Sequence, residues 1–160
     1  FDDEYFRNNV ILKIVGELRN QEKLYFEEQA KIKPWLLDSI VQTGWLDYME
    51  VPKHLSGSMG LILMEPAVNN LLAGPPNKLF NYISASLPVI SFDVPASTRM
   101  IEMYNVGLVV ERNLKSFKAG IQKVILDYDL YKANIAENRK YFSFESEAGK
   151  LYALYDELLQ

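Results

Sequence analysis

Gly74-Pro75-Pro76-Asn77-Lys78-Leu79-Phe80-Asn81-Tyr82-Ile83-Ser84-Ala85-Ser86-Leu87-Pro88-Val89-Ile90-Ser91-Phe92-Asp93 joins a proline-stopped polar loop to a short helix and then to a buried strand. The prolines place the helix start at Asn77, so residues 77–86 read as helix and 88–92 as an apolar strand. The first N–H groups of a helix have no partner within it and lie at the positive end of its dipole. A phosphate or diphosphate fits there. Lys78 adds a mobile positive charge in the same turn.

The rest of the chain repeats the unit. Residues 10–15 form a β-branched run closed by Gly16, read as a strand buried on both faces, and an amphipathic stretch over 20–33 follows. Pro34 stops that helix, and residues 40–44 give a second strand ending on Gly44. Residues 51–56 suit one or two helical turns, with Pro52 near their start. Residues 60–64 supply a third strand, and an irregular polar segment runs over 65–76. Beyond the opening stretch come a helix over 97–104 and a strand over 107–110. From Leu114 only helical periodicity remains: Phe117, Ile121, Val124, Ile125 and Tyr128 share one stripe, with further helices over 131–141 and 145–159. Alternating strands and helices predict a Rossmann-like three-layer α/β/α sandwich with a parallel sheet of about five or six strands, ending in helices. Ligands of such sheets lie outside the carboxyl ends of the strands, so the loops starting at Gly16, Gly44, Glu65 and Asp93 are the ones to inspect.

Composition narrows the chemistry. At 160 residues and 49% hydrophobic, the chain suits a single domain over 1–160. It has no cysteine, which excludes disulfides, thiolate zinc sites and cysteine nucleophiles and favours a cytoplasmic location. His54 is the sole histidine, so no multi-histidine metal site exists, and it reads as a surface or packing residue. No metal site is expected: Asp2-Asp3-Glu4 reads as a frayed acidic terminus. A net charge of −4 argues against a nucleic-acid surface, and no apolar run approaches the length of a membrane span. Neither G-x-G-x-x-G nor G-x-x-x-x-G-K-[ST] occurs, which removes the main support for NAD enzymes and P-loop NTPases. The opening Phe1-Asp2-Asp3-Glu4-Tyr5-Phe6, without an initiator Met, reads as part of something longer.

The stretch from Pro76 to Asp93 resembles the nucleotide-sugar segment of retaining GT-B glycosyltransferases, whose common form is roughly P-x-K-x-x-E-Y-M-A-x-G-x-P-V-I-A-S-D. Together with the strands over 10–15 and 60–64, the Gly44-Trp45 segment and the terminal pattern Phe142-x-Phe144-Glu145, the likeness to the C-terminal domain of that family covers most of the chain. It implies the donor-binding half of an enzyme that moves a sugar from a nucleotide-diphosphate sugar to a glycan or other acceptor with retention of configuration. The nucleotide sugar is then a substrate, and no cofactor is implied. It also implies a partner domain for the acceptor, N-terminal in the parent protein and absent here, which would supply any membrane association. The isolated piece is expected to be inactive, and no catalytic residue is assigned within it.

Residue by residue, the resemblance puts Asn77 and Lys78 beside the diphosphate and Asn81 where family members often carry a glutamate that receives the ribose hydroxyls. The earlier family glutamate falls at Ala73, and the usual glycine before P-V-I is Ser86. Gly16 with Arg19 and Lys23 matches the loop that commonly contacts the diphosphate, although Glu17 stands where the family's Arg follows the glycine. Arg19 and Lys23 suit plain surface charges equally well. Gly44, Trp45 and the main chain at Leu46 are placed near the base, with a core or interface role the competing reading of Trp45. Asn69-Asn70 are placed near the sugar or phosphates, with a turn role an equal reading; the loop Pro95-Ala96-Ser97 is placed beside the sugar, and Glu102 is expected to be structural. Asn81 and Ala73 keep open a non-catalytic pseudo-glycosyltransferase domain, and a related GT-B epimerase or phosphorylase shares the sheet. A flavodoxin-like or response-regulator-like module would need an acidic cluster after the first strand and a central phosphoacceptor Asp, which the sequence does not show.

Overall fold

The computed structural model describes residues 4–55, 57, 59–65 and 74–159. Asp2, Asp3, Asn69, Asn70 and Ala73 lie outside them. The chain divides into two compact units, Phe1–Leu55 and Ser56–Gln160.

The first unit contains helix α1 (Glu4–Asn9), strand β1 (Leu12–Ile14), helices α2 (Asn20–Ile32) and α3 (Leu36–Ser39), strand β2 (Ile40–Gln42) and the single turn α4 (Val51–His54). β1 and β2 pair in parallel, with Leu12 opposite Ile40 and Ile14 opposite Gln42. The expectation of a strand over 10–15 buried on both faces is corrected here: β1 is shorter and half-buried, and Ile11 is 68% exposed. A two-stranded ladder of three residues each gives few side chains to cover two faces. Among the described residues of this unit the buried apolar ones are Phe6 of α1 and Ala30 of α2, and the ring of Trp35 lies beneath the Arg7 guanidinium at 5.3 Å. Helix α1 was not foreseen, because its acidic, aromatic opening carries no apolar period.

In the second unit, strands β3 (Gly60–Ile62), β4 (Val89–Phe92) and β5 (Gly107–Val110) form a parallel sheet in that order. Consecutive strand residues face opposite sides, and Val89, Ile90 and Ser91 are all buried, so both faces of β4 are covered. The five expected strands are therefore present and parallel, in hydrogen-bonded sets of two and three. Helix α5 (Asn77–Ser84) packs on β3 and β4, α6 (Pro95–Tyr104) on β4 and β5, and α7 (Leu114–Leu126) on β4 and β5. Helix α8 (Tyr128–Asn138), a 3₁₀ turn (Arg139–Phe142) and helix α9 (Phe144–Leu158) complete the unit. Its core joins Ile62, Leu79, Ile83, Val89, Ile101, Val106, Ile135 and Phe142. Tyr104 stacks on Tyr141 and meets Phe142 edge-on, closing that core where the 3₁₀ turn crosses it.

Helices α5 and α6 end in the same way. The N–H groups of Ser86 and Leu87 donate to the carbonyls of Ile83 and Tyr82, and those of Asn105 and Val106 to Glu102 and Ile101. This double bond pattern needs a left-handed residue, and Ser86 (φ 59°) and Asn105 (φ 45°) take that conformation without being glycine. The Arg139 guanidinium also donates to the Ser84 carbonyl, covering one more unpaired group at the end of α5. Both closures lead straight into a strand, so each helix runs back from the carboxyl edge of the sheet to its amino edge.

Candidate functional site at the strand ends

In the first unit, Gly16 and Gly44 follow the carboxyl ends of β1 and β2 with φ of 129° and 76°. A Cβ at either would meet open space, so the glycines serve the backbone conformation rather than a close approach. Thr43 joins the two turns. Its Oγ1 accepts from the Gly16 N–H at 3.0 Å and donates to the Gly44 carbonyl at 3.1 Å, while its own N–H donates to Ile14 at 3.1 Å. Sequence reading passed over Thr43, although a hydroxyl residue directly before a strand-ending glycine is the available signal. Arg19 precedes α2 in extended backbone without a side-chain cap, and Lys23 stands one turn further, its N–H donating to the Arg19 carbonyl. Both side chains are exposed. Trp45 is 76% exposed, so its indole is available for stacking rather than buried in a core. His54 is half-buried in the last turn of α4.

In the second unit the opening of α5 has no side-chain cap: Pro76, in extended backbone, precedes it and cannot supply one. Leu79 and Ile83, four apart, are fully buried. At 100° per residue, Asn77, Lys78 and Asn81 then fall together on the opposite flank, with Asn77 and Lys78 exposed and Asn81 half-buried. The α5 opening thus presents two amide side chains, one ammonium and uncapped N–H groups on one surface. Ser86, where the resemblance expects glycine, holds the left-handed backbone that a glycine there would supply.

The other strand ends of this unit carry charge. Asp93 accepts from the Thr98 hydroxyl at 2.8 Å, and Glu111 accepts from the Asn113 amide at 2.9 Å. Asn113 caps α7, its side chain accepting from the Ser116 N–H at 2.8 Å. Arg112, beyond β5, forms an ion pair with Glu65, beyond β3. Neither sequence pattern nor resemblance pointed to Arg112, because the loop after β5 holds no glycine or proline signal. Ser97 in the first turn of α6 is fully buried and its hydroxyl has no partner among the described residues. Glu102 keeps an exposed side chain while its carbonyl closes the helix end. Among the described residues no group of three or more His, Asp or Glu could hold a metal ion, and no helix is long and apolar enough to cross a membrane.

This arrangement of parallel strands, helices and loops at their carboxyl ends is the α/β fold of GT-B glycosyltransferase C-terminal domains. The chain belongs to the family described as glucosyltransferase 3-like, C-terminal domain, whose profile matches residues 6–144. Among solved structures it is similar to WaaG, a glycosyltransferase involved in lipopolysaccharide biosynthesis, with 20% identity and a TM-score of 0.60 over 88% of this chain. It is likewise similar to sucrose-phosphate synthase from Thermosynechococcus elongatus, with 19% identity and a TM-score of 0.62 over 92% of this chain. The matched regions make up 35% and 38% of those two chains. No curated protein matches the chain by sequence.

Proposed function

We propose that this chain is the donor-binding domain of a glycosyltransferase, taking a sugar from a nucleotide-diphosphate sugar with retention at the anomeric carbon. The carrying observation is the α5 opening, where Lys78, Asn77 and Asn81 share one flank of an uncapped helix start. Membership of the glucosyltransferase 3-like family supports the reading. When the sugar–phosphate bond breaks, negative charge grows on the departing diphosphate, and a fixed dipole with an adjacent ammonium stabilises that charge without reorganising. Asn77 and Asn81 offer amide donors and acceptors to phosphate oxygens and ribose hydroxyls. Within the first unit, the Gly16 loop with Arg19 and Lys23 and the Gly44-Trp45 loop, joined through Thr43, are by resemblance alone contacts for a diphosphate and a base. The acceptor is bound by another part of a longer protein, with which this domain completes the active site in the cytoplasm.

Calorimetric titration with UDP, GDP, ADP and CMP, repeated on Lys78→Ala, tests the reading. Saturable binding of one nucleotide, weakened roughly tenfold or more by loss of a charge-assisted bond, is the expected result. Equal affinity of wild type, Lys78→Ala and the control His54→Ala would discredit the α5 opening as the site. A second reading, a domain that binds donor but does not turn it over, is favoured by Asn81, whose amide lacks the ionised acceptor of a glutamate. Release of nucleoside diphosphate from the nucleotide sugar by the complete protein separates the two.

A further inference from the structure

At the carboxyl edge of the three-stranded sheet, one side chain reaches over the central strand. Arg112 lies two residues past β5 and pairs with Glu65, three residues past β3, while its guanidinium carbon stands 6.0 Å from the centre of the Phe92 ring at the end of β4. β3 and β5 each neighbour β4 and not one another, so this pair spans two strand spacings, roughly 10 Å. That is where ligands of open parallel sheets lie. α5 runs back to the amino end of β4, so its opening, with Lys78, faces this same edge.

Stability does not account for the pair. The Arg112 and Glu65 side chains are 43% and 71% exposed, and ion pairs so open to water add little. Their geometry suits exchange instead. A guanidinium presents a planar fork that takes two oxygens of a carboxylate or of a phosphate, and the Phe92 ring beneath it favours the cation without competing for its N–H groups. The other carboxylates of the edge, Asp93 and Glu111, are engaged by Thr98 and Asn113. We propose that Arg112 is an anion-binding residue of the diphosphate site, with Glu65 holding its guanidinium over Phe92 until a phosphate oxygen takes the carboxylate's place. The proposal rests on the donor-site reading and adds to it a cation on the opposite side of β4.

Titration of the full chain at low ionic strength with the nucleoside diphosphate that binds wild type, on Arg112→Gln, Arg112→Lys, Glu65→Gln and the double variant Glu65→Gln/Arg112→Gln, tests it. Arg112→Gln should weaken binding roughly tenfold, with Arg112→Lys in between. Glu65→Gln should tighten it by about two- to fivefold, since the ligand no longer displaces an internal anion. The double variant should match Arg112→Gln. Binding of Arg112→Gln within about twofold of wild type, or weakening by Glu65→Gln, overturns the proposal, provided thermal unfolding shows the variants folded. A loss confined to Lys78→Ala overturns the role of Arg112 and leaves the donor site standing, whereas a wild type that binds no diphosphate overturns both.

Discussion

Gly107→Ala is the substitution whose cost follows most directly from the geometry. Gly107 opens β5 directly opposite Val89 of β4. A Cβ there would fall deep inside contact distance of the Val89 carbonyl oxygen and 2.7 Å from its amide nitrogen and carbonyl carbon. The obstacle is backbone, which cannot rotate aside, and Val89 and Ile90 behind it are fully buried. Inserting a methyl into a packed core costs about 1–3 kcal/mol when side chains can adjust. Here the two strands themselves must part, so the upper end, about 3 kcal/mol, applies. For a chain of this size that lowers Tm by roughly 6–12 °C. Gly149→Ala provides the contrast, since Gly149 sits inside α9 with open space around its Cβ position. Alanine should there stabilise by about 0.5–1 kcal/mol through helix propensity. Thermal and urea unfolding followed by circular dichroism read both. Gly107→Ala within about 1 kcal/mol of wild type would refute the close approach of β4 and β5, because only a looser pairing tolerates the methyl.

Ser86→Gly should raise stability by about 1 kcal/mol, because Ser86 holds a left-handed φ of 59° that glycine adopts freely; no gain in urea unfolding would count against the closure at the end of α5. Thr43→Val removes both the acceptor of the Gly16 N–H and the donor to the Gly44 carbonyl, so amide exchange at Gly16 should accelerate and stability fall by about 1–2 kcal/mol, with Thr43→Ser restoring both. Alkaline stability supplies a pH test. Burial pushes the Tyr82 phenol above its ordinary value of 10.0, and burial together with Asp127 does the same to Tyr131. Raised folded values favour the protonated folded form, so their contribution is complete below pH 10.0 and is lost as pH climbs through the folded values. Tyr82→Phe should flatten that loss in unfolding scans above pH 10.0, leaving the share due to Tyr131; an unchanged alkaline slope would show that Tyr82 ionises as freely folded as unfolded.

The second unit was the more legible of the two. Residues 107–110 alternate between a tight glycine start and branched apolar residues, and the strand appears with those bounds. Pro75-Pro76 announced the start of α5, and its opening flank follows from helical spacing alone. Pro95 instead misplaced the start of α6, which begins on that proline because a first-turn proline forfeits only an N–H that lacks a partner anyway. The stripe on α7 is buried at Ile121 and Val124, while Ile125, at its margin, is 46% exposed. In the first unit, short strands and exposed apolar residues such as Val41 and Ile32 defeat period counting, since burial there does not follow the apolar pattern. The proline-stopped helix start led to Lys78, and the glycines that close the first two strands led to the two glycine turns. Arg112 and Thr43 stayed hidden because their roles come from partners 47 and 27 residues distant in the chain.

The paired closures at Ser86 and Asn105 have an evolutionary corollary. Both helices are anchored at the ends remote from the carboxyl edge of the sheet, by main-chain bonds that depend on conformation rather than on side-chain identity. At the opposite ends Leu79 and Ser97 are buried, but exposed positions such as Asn77 and Lys78 are relieved of folding duty. Substitution at those exposed positions can change what this rim offers to a ligand without disturbing the scaffold, so a lineage built on this frame can diversify at one rim while its architecture is conserved from the other.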